Sequence, residues 1–77
     1  MVSIGIDVGS LWTKTVLIDQ GKIIAFEARR SITNPVTMVD EMAAGMLRSV
    51  KMAPGNYPRV ATGAGRKNIT NATQSTE

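Results

Sequence analysis

The 77-residue chain contains no cysteine and no histidine, and only three of its residues are aromatic. Without cysteine it has no disulfide, no thiolate metal site and no cysteine nucleophile. Without histidine it lacks the side chain that most often acts as an acid–base catalyst near neutral pH. These absences narrow its chemistry to carboxylates, hydroxyls, amines, guanidinium groups and the backbone.

Charge and hydropathy exclude two further classes of function. The net charge is +3 and the nine basic residues are scattered along the chain, whereas nucleic-acid binding usually shows a basic face interleaved with aromatics. No apolar run approaches the length that crosses a bilayer, and the N-terminus has no secretory pattern. The sequence therefore predicts one small cytoplasmic domain with no nucleic-acid and no membrane partner.

The most informative stretch, residues 3–19, predicts two strands joined by a tight turn. Apolar residues alternate with small or polar ones up to Val8, which is the period of a strand. Gly9 and Ser10 form the turn, where glycine can take a positive φ. Residue types that are enriched in strands begin again at Thr13.

This turn carries the groups that a magnesium–nucleotide site needs. Backbone N–H groups of a turn form a small anion-binding concavity, to which Ser10, Thr13 and Trp12 add donors and Lys14 adds a positive charge. Asp7 would repel a phosphate unless a metal lay between them, as hydrated Mg²⁺ does. An ordinary hairpin with one polar turn explains the same residues, and spacing alone favours that alternative.

Downstream, the sequence predicts a third strand, one helix and a fourth strand. The third strand, Lys22–Arg29, completes an antiparallel meander. The fourth, Tyr57–Thr62, is expected to lie parallel to the first. The predicted fold class is α/β with the order β-β-β-α-β. Residues 67–77 form a polar tail that is frayed or a short irregular helix.

Asn34-Pro35 marks the start of the predicted helix, since proline suits a first helical turn, and apolar residues recur along the helix at helical spacing. Either Asn34 or Thr37 caps it, and two acidic residues, Asp40 and Glu41, are expected near its positive end. Its methionines are interpreted as core filling rather than as a partner-binding stripe.

A second glycine-rich stretch follows the fourth strand. Gly63, Gly65 and Arg66 form either a plain loop or a close backbone approach to a ligand. In the second case Arg66 offers a forked donor to phosphate or carboxylate. The residues alone leave both alternatives open.

Together the two motifs resemble a known family. Residues 5–10, Gly-Ile-Asp-Val-Gly-Ser, followed by Thr13 and Lys14, resemble the first phosphate loop of the acetate and sugar kinase/Hsp70/actin superfamily. Residues 59–66, Arg-Val-Ala-Thr-Gly-Ala-Gly-Arg, resemble a segment of the ATPase activators of 2-hydroxyacyl-CoA dehydratases and of the ATPase subunits of benzoyl-CoA reductase. The resemblance covers almost the whole chain.

The resemblance implies the first part of a ribonuclease H-like, actin-like ATPase lobe over residues 1–66. It implies ATP or ADP with Mg²⁺ as the ligand, and Asp7 as the residue that organises the metal. The cofactor-binding residues that it implies are Gly9, Ser10, Leu11, Trp12, Thr13, Lys14, Gly63, Gly65 and Arg66.

The resemblance also implies partners. In that family the nucleotide lies between two lobes, and its hydrolysis drives electron transfer to a dehydratase or reductase component. We therefore expect the missing second lobe, or a homologous subunit, to complete the site. The chain has no cysteine, so it cannot hold the [4Fe-4S] cluster of that family. Leu11 and Trp12 stand where the family has small or hydroxylated residues.

The expected function is nucleotide phosphate binding in an N-terminal piece of such an ATPase activator, inactive alone. Two alternatives stay open. One is a non-catalytic interaction module in which Trp12 is the anchor. The other is a piece of a sugar or acetate-type kinase.

Overall fold

A computed structural model of the chain describes residues 1–31, 35–63, 69 and 72–74. Its elements are β1 (Val2–Val8), β2 (Trp12–Asp19), β3 (Lys22–Arg30), α1 (Pro35–Ser49), β4 (Arg59–Thr62) and β5 (Thr73–Gln74). The strands form one five-stranded sheet in the order β3-β2-β1-β4-β5. The predicted α/β class and the order β-β-β-α-β are confirmed, and a short fifth strand follows.

The first three strands form the expected antiparallel meander, and β4 pairs parallel with β1. The turn between β2 and β3 has positive φ at Gln20 and Gly21, the pattern of a two-residue hairpin turn that matches the twist of its strands. Because β1 and β4 run in the same direction, their carboxyl ends meet at one edge of the sheet.

Helix α1 covers one face of the sheet with a continuous apolar stripe. The residues that it buries are Pro35, Met38, Val39, Met42, Ala43, Met46 and Leu47. Most of these join a core with side chains from the strands and the tail, namely Ile4, Ile6, Val8, Leu17, Ala61 and Ile69. The interpretation of the methionines as core residues is confirmed.

The helix-facing side of β2 also buries two hydroxyl groups. Thr13 and Thr15 have no exposed surface, and a buried hydroxyl is costly unless it has a hydrogen-bond partner. The Thr15 hydroxyl donates to the sulfur of Met46 at 3.5 Å. This contact ties the second strand to the C-terminal part of the helix.

The start of α1 agrees with the predicted boundary at Asn34-Pro35 and excludes one of the two predicted caps. The helix begins at Pro35, so Thr37 lies within its first turn and is not the cap, while Asn34 is outside the described residues. Proline suits a first helical position because it has no N–H to leave unpaired. The first turn contains no acidic residue, because Asp40 and Glu41 lie further along the helix. In the described part of the chain, no helix has the length and apolar character needed to span a membrane.

Within the predicted polar tail, the structure describes Ile69 and residues 72–74. Ile69 is fully buried in the core, and Thr73–Gln74 pairs parallel with β4. Thr73–Gln74 is therefore a strand and not part of a helix. A single isoleucine supplies apolar surface to the core, and the outer edge of β4 offers unpaired backbone groups. The division of the chain at residue 66 stays a prediction.

We expect Leu17→Ala to destabilise the chain by about 2–5 kcal/mol, because truncating a fully buried leucine also leaves a cavity. A domain this small has little stability to spare. The midpoint of urea unfolding, followed by circular dichroism, measures the change. Ile23→Ala, at a position 65% exposed, is the control and is expected to change stability by less than about 0.5 kcal/mol. Equal losses in the two variants would contradict the burial described above.

Candidate functional site

The turn between β1 and β2 is closed by a backbone hydrogen bond. The Gly9 N–H donates to the carbonyl oxygen of Trp12 at 3.0 Å. Among the described glycines, positive φ occurs at Gly21 and Gly63, so Gly9 does not use the left-handed conformation that a glycine can adopt in a turn. A Cβ on Gly9 would lie 2.9 Å from the Trp12 carbonyl oxygen. Glycine is needed here for close approach of two backbone segments.

Ser31, the residue after β3, holds this turn from the side. Its N–H donates to the carbonyl oxygen of Leu11 at 2.8 Å, and its hydroxyl donates to the carbonyl oxygen of Gly9 at 2.7 Å. Its hydroxyl also lies 2.9 Å from the hydroxyl of Thr13. Sequence reasoning missed Ser31. The signal that could have found it is the meander itself, which places the end of the third strand beside the first turn.

Thr13 differs from the other predicted site residues because it is fully buried on the helix-facing side. Its hydroxyl contacts that of Ser31. In this geometry the hydroxyl of Thr13 supports the turn and is not exposed to a ligand. A direct contact between Thr13 and a phosphate stays a prediction.

The rest of the turn is exposed. Leu11 is 61% exposed and Trp12 46% exposed, and the guanidinium of Arg30 lies 5.7 Å from the centre of the Trp12 ring. Ser10 is exposed as well. Within the described residues, no acceptor takes a hydrogen bond from the amide of Ser10 or Leu11. These amides can therefore bind an anion without breaking an existing contact.

Asp7 and Lys14 are neighbours across β1 and β2. They are register partners and both are exposed. They lie on the face of the sheet opposite α1, because their chain neighbours Ile6 and Thr13 point into the core. Among the described residues, no ion pair joins Asp7 to Lys14. A carboxylate and an ammonium thus stand side by side, each available to a ligand.

A groove of about 470 Å³ runs along this open face of the sheet. Its walls are Gly5, Ile6, Asp7, Lys14, Val16, Phe26, Val60 and Thr62. The groove is mostly apolar, and its charged end is formed by Asp7 and Lys14. Residues 9–13 do not line it. The predicted site and the groove therefore meet only at that charged pair.

Gly63 brings the second motif directly against the first. Its φ is 91°, a left-handed conformation that favours glycine. A Cβ at this position would lie 2.5 Å from the carbonyl oxygen of Val8 and 2.6 Å from Oδ1 of Asp7. The predicted contribution of Gly65 and Arg66 lies outside the described residues.

The donor set near Asp7 fits one kind of metal site. In the described part of the chain, no three carboxylate, histidine or cysteine side chains group together as metal ligands. Mg²⁺ is commonly bound by one or two carboxylates together with phosphate oxygens and waters. The single exposed carboxylate of Asp7 fits this arrangement, in which a nucleotide supplies ligands to the metal.

No protein-family model matches the sequence, and no curated protein does either. Among solved structures, the chain is similar to the activator of the 2-hydroxyisocaproyl-CoA dehydratase from Clostridium difficile with bound ADPNP, with a TM-score of 0.78 and 29% identity. It is also similar to component A of the (R)-2-hydroxyglutaryl-CoA dehydratase from Acidaminococcus fermentans, with a TM-score of 0.76 and 25% identity. Both matches cover 96% of this chain. The resemblance to the 2-hydroxyacyl-CoA dehydratase activators is confirmed.

This chain spans less than a third of the two dehydratase proteins, 28% of one and 29% of the other. A 2-dehydro-3-deoxygalactonokinase structure from Sinorhizobium meliloti matches with a TM-score of 0.58 and 18% identity, over 82% of this chain and 21% of that one. The ethanolamine utilization protein EutJ from Carboxydothermus hydrogenoformans matches with a TM-score of 0.54 and 15% identity, over 95% of this chain and 43% of that one. These two show the fold alone. The predicted ribonuclease H-like, actin-like fold class is confirmed.

We expect Gly63→Ala to destabilise the chain by about 2 kcal/mol or more, because left-handed strain adds to a clash with backbone. Gly21→Ala is the matched control. Gly21 also has a positive φ, of 78°, but nothing lies within 4 Å of a Cβ there, so only strain of about 1 kcal/mol is expected. Urea unfolding of both variants measures the difference. Equal costs would contradict the close approach of Gly63 to β1.

We expect Ser31→Ala to lower stability by about 1–2 kcal/mol, because it leaves the buried hydroxyl of Thr13 without its partner. It should also shift the amide resonances of Ser10 and Leu11 in a ¹⁵N NMR spectrum. The control is Ser49→Ala, which removes one hydroxyl hydrogen bond, to the carbonyl of Met46, at the end of the helix. Turn resonances that move no more in Ser31→Ala than in Ser49→Ala would contradict the role of Ser31.

Proposed function

We propose that this chain forms the phosphate-binding wall of an ATP or ADP site in an activator of a CoA-ester dehydratase or reductase. One observation carries the proposal. Asp7, Lys14 and Gly63 converge beside a turn with exposed amides, in a chain similar to an activator with bound ADPNP. In α/β sheets, ligands commonly bind beyond the carboxyl ends of the parallel strands. Asp7 and Gly63 lie at the carboxyl ends of β1 and β4, and Lys14 lies beside Asp7 on the antiparallel strand β2.

Each group has a distinct role in this proposal. The amides of Ser10 and Leu11 bind phosphate oxygens, since turn amides with free hydrogens attract anions. Lys14 contributes a positive charge beside them, and Gly63 lets the backbone of the second motif approach. Asp7 orients Mg²⁺, which neutralises phosphate charge when it is bound.

Catalysis requires more than this wall. Hydrolysis depends on holding the reacting groups in one geometry from more than one side, and the turn and the charged pair are open on the side away from the sheet. We propose that a second lobe or a homologous subunit closes the site, and that this chain alone turns over ATP negligibly. The dehydratase or reductase component is the proposed downstream partner, in the cytoplasm.

One observation favours a second candidate function. Leu11 and Trp12, both large and apolar, are exposed at the tip of the turn, and exposed tryptophans often anchor protein partners. A non-catalytic interaction module would use these side chains and would not need Lys14 or Asp7. The two functions therefore depend on different side chains of one turn.

We expect Mg-ADP titrated into the ¹⁵N-labelled chain to shift resonances between Asp7 and Lys14. Lys14→Ala should weaken binding by about tenfold, because a hydrogen bond to a charged group contributes about 1.5 kcal/mol or more. Lys22→Ala is the matched control, since this exposed lysine lies in the hairpin at the opposite end of the strands. It should bind as the unmodified chain does.

Three results would count against nucleotide binding by this chain. They are shifts confined to other segments, no shifts at millimolar nucleotide, and equal losses in the two lysine variants. If Mg-ADP leaves the spectrum unchanged while Trp12→Ala abolishes binding of a protein partner, the interaction module is the better description.

A further inference from the structure

Strand β3 is the outer strand of the sheet, and its free edge is long. It has nine residues and lies at one end of the strand order, paired only with β2 among the described elements. It also exposes large apolar side chains to solvent: Ile23 is 65% exposed and Phe26 is 63% exposed. A long exposed edge with apolar residues is a template for pairing with another strand.

The hydrogen bonding of β2 with β3 shows which backbone groups are free. The Ser31 N–H points toward β2, because it donates to the Leu11 carbonyl. Successive residues of a strand point their N–H and C=O groups to opposite sides. Arg29 and Glu27 therefore also point to β2, whereas the backbone groups of Arg30, Ala28 and Phe26 point outward. The outward groups are the ones that another strand can bind.

We propose that β3 pairs with β3 of a second copy of this chain, antiparallel and in a register centred on Ala28. In this register Ala28 faces its own counterpart in a hydrogen-bonded pair. Glu27 then faces Arg29 of the second copy, and the symmetry repeats this opposite-charge pair. Phe26 faces Arg30 of the second copy on the open side of the sheet, where a guanidinium and a ring attract each other.

Other registers of the same two strands lack this complementarity. Centring on Glu27 places two glutamates opposite each other, and centring on Arg29 places two arginines there. Like charges directly opposite are destabilising. Centring on Phe26 leaves Glu27 opposite Ala25 and brings Lys22 toward Arg30. The register centred on Ala28 is the one of these that pairs Glu27, Arg29 and Arg30 each with an opposite charge or a ring.

The ion pairs select the register rather than supply most of the affinity. Arg29 already contacts Glu27 and Glu41 within its own chain, and exposed ion pairs contribute little. Backbone hydrogen bonds and the covered surface of Phe26 supply the attraction. We therefore infer a weak dimer, with one sheet continuous across both copies. This inference does not rest on nucleotide binding.

The absence of cysteine from the chain makes the register directly testable. In Ala28→Cys each molecule carries one thiol. Counterparts in a hydrogen-bonded antiparallel pair lie about 5.5 Å apart between Cα atoms, which is within the range that a disulfide spans. Mild oxidation should therefore give a covalent dimer of Ala28→Cys. Glu27→Cys and Phe26→Cys test the registers centred on those two residues, and Arg48→Cys, exposed on the helix, reports random collision.

We expect Ala28→Cys to dimerise on the order of tenfold faster than Arg48→Cys, because strand pairing raises the effective thiol concentration, and faster than Glu27→Cys and Phe26→Cys. Sedimentation of the unmodified chain, with and without nucleotide, is the second measurement and should show an average mass that rises with concentration above 8.2 kDa. A chain that stays monomeric at millimolar concentration overturns the proposal. So does faster crosslinking at residue 26 or 27, or equal rates for Ala28→Cys and Arg48→Cys.

Discussion

The parallel pairing of β1 with β4 is the contact on which the candidate site depends. It joins two segments that are about 55 residues apart in sequence, with Ile4 opposite Arg59 and Asp7 opposite Thr62. The chain can make this contact only because the meander and α1 lie between the two strands and return it to the edge of β1. The pairing brings the carboxyl end of each strand, and so Asp7 and Gly63, to one place. Without it the two glycine-containing motifs would be separate loops.

The two faces of the sheet have different roles, because one is packed against α1 and the other is exposed to solvent. On one face, α1 packs a stripe of methionine, valine and leucine against the inward side chains of β1 and β2, and this burial is the main source of stability. The other face keeps its charged pair and its apolar groove in contact with solvent. Thr13 and Lys14 are adjacent in sequence and yet belong to different faces. The same strand thus supports the turn and presents a charge to a ligand.

Much of the fold could be predicted from particular residues. The alternation in β1, the glycine turn at Gly21 and the helical spacing of the methionines depend on local periods of two and 3.6 residues, and all three predictions hold. Of the two predicted caps, Thr37 is excluded because it lies inside the first turn of the helix, and the sequence could not decide this because caps depend on contacts that the local pattern does not contain. The short strand β5 was missed for the same reason. Two residues pair there because β4 offers an edge.

The candidate site was predictable as a set of residue types, and less so as an arrangement. Asp7 and Lys14 were expected to act together, and the register of β1 and β2 makes them neighbours. Ser31 was not expected, because its bonds to Gly9 and Leu11 connect residues about 20 positions apart. Thr13 was expected to hold a phosphate, and that contact stays a prediction, while the burial of Thr13 on the helix-facing side of β2 was not expected. Whether a strand residue is buried depends on what packs against each face of the sheet, and the sequence of a single strand does not specify this.

By itself the sequence determined the order of the elements, the apolar face of the helix and the types of charged and small residues near the first turn. These follow from short periods and from the chemistry of single side chains. Only the tertiary structure decided that Gly63 contacts the end of β1, that Ser31 holds the turn, and that β3 is an open edge. Each of these depends on segments distant in the chain, and their distances are set by the packing of the whole core.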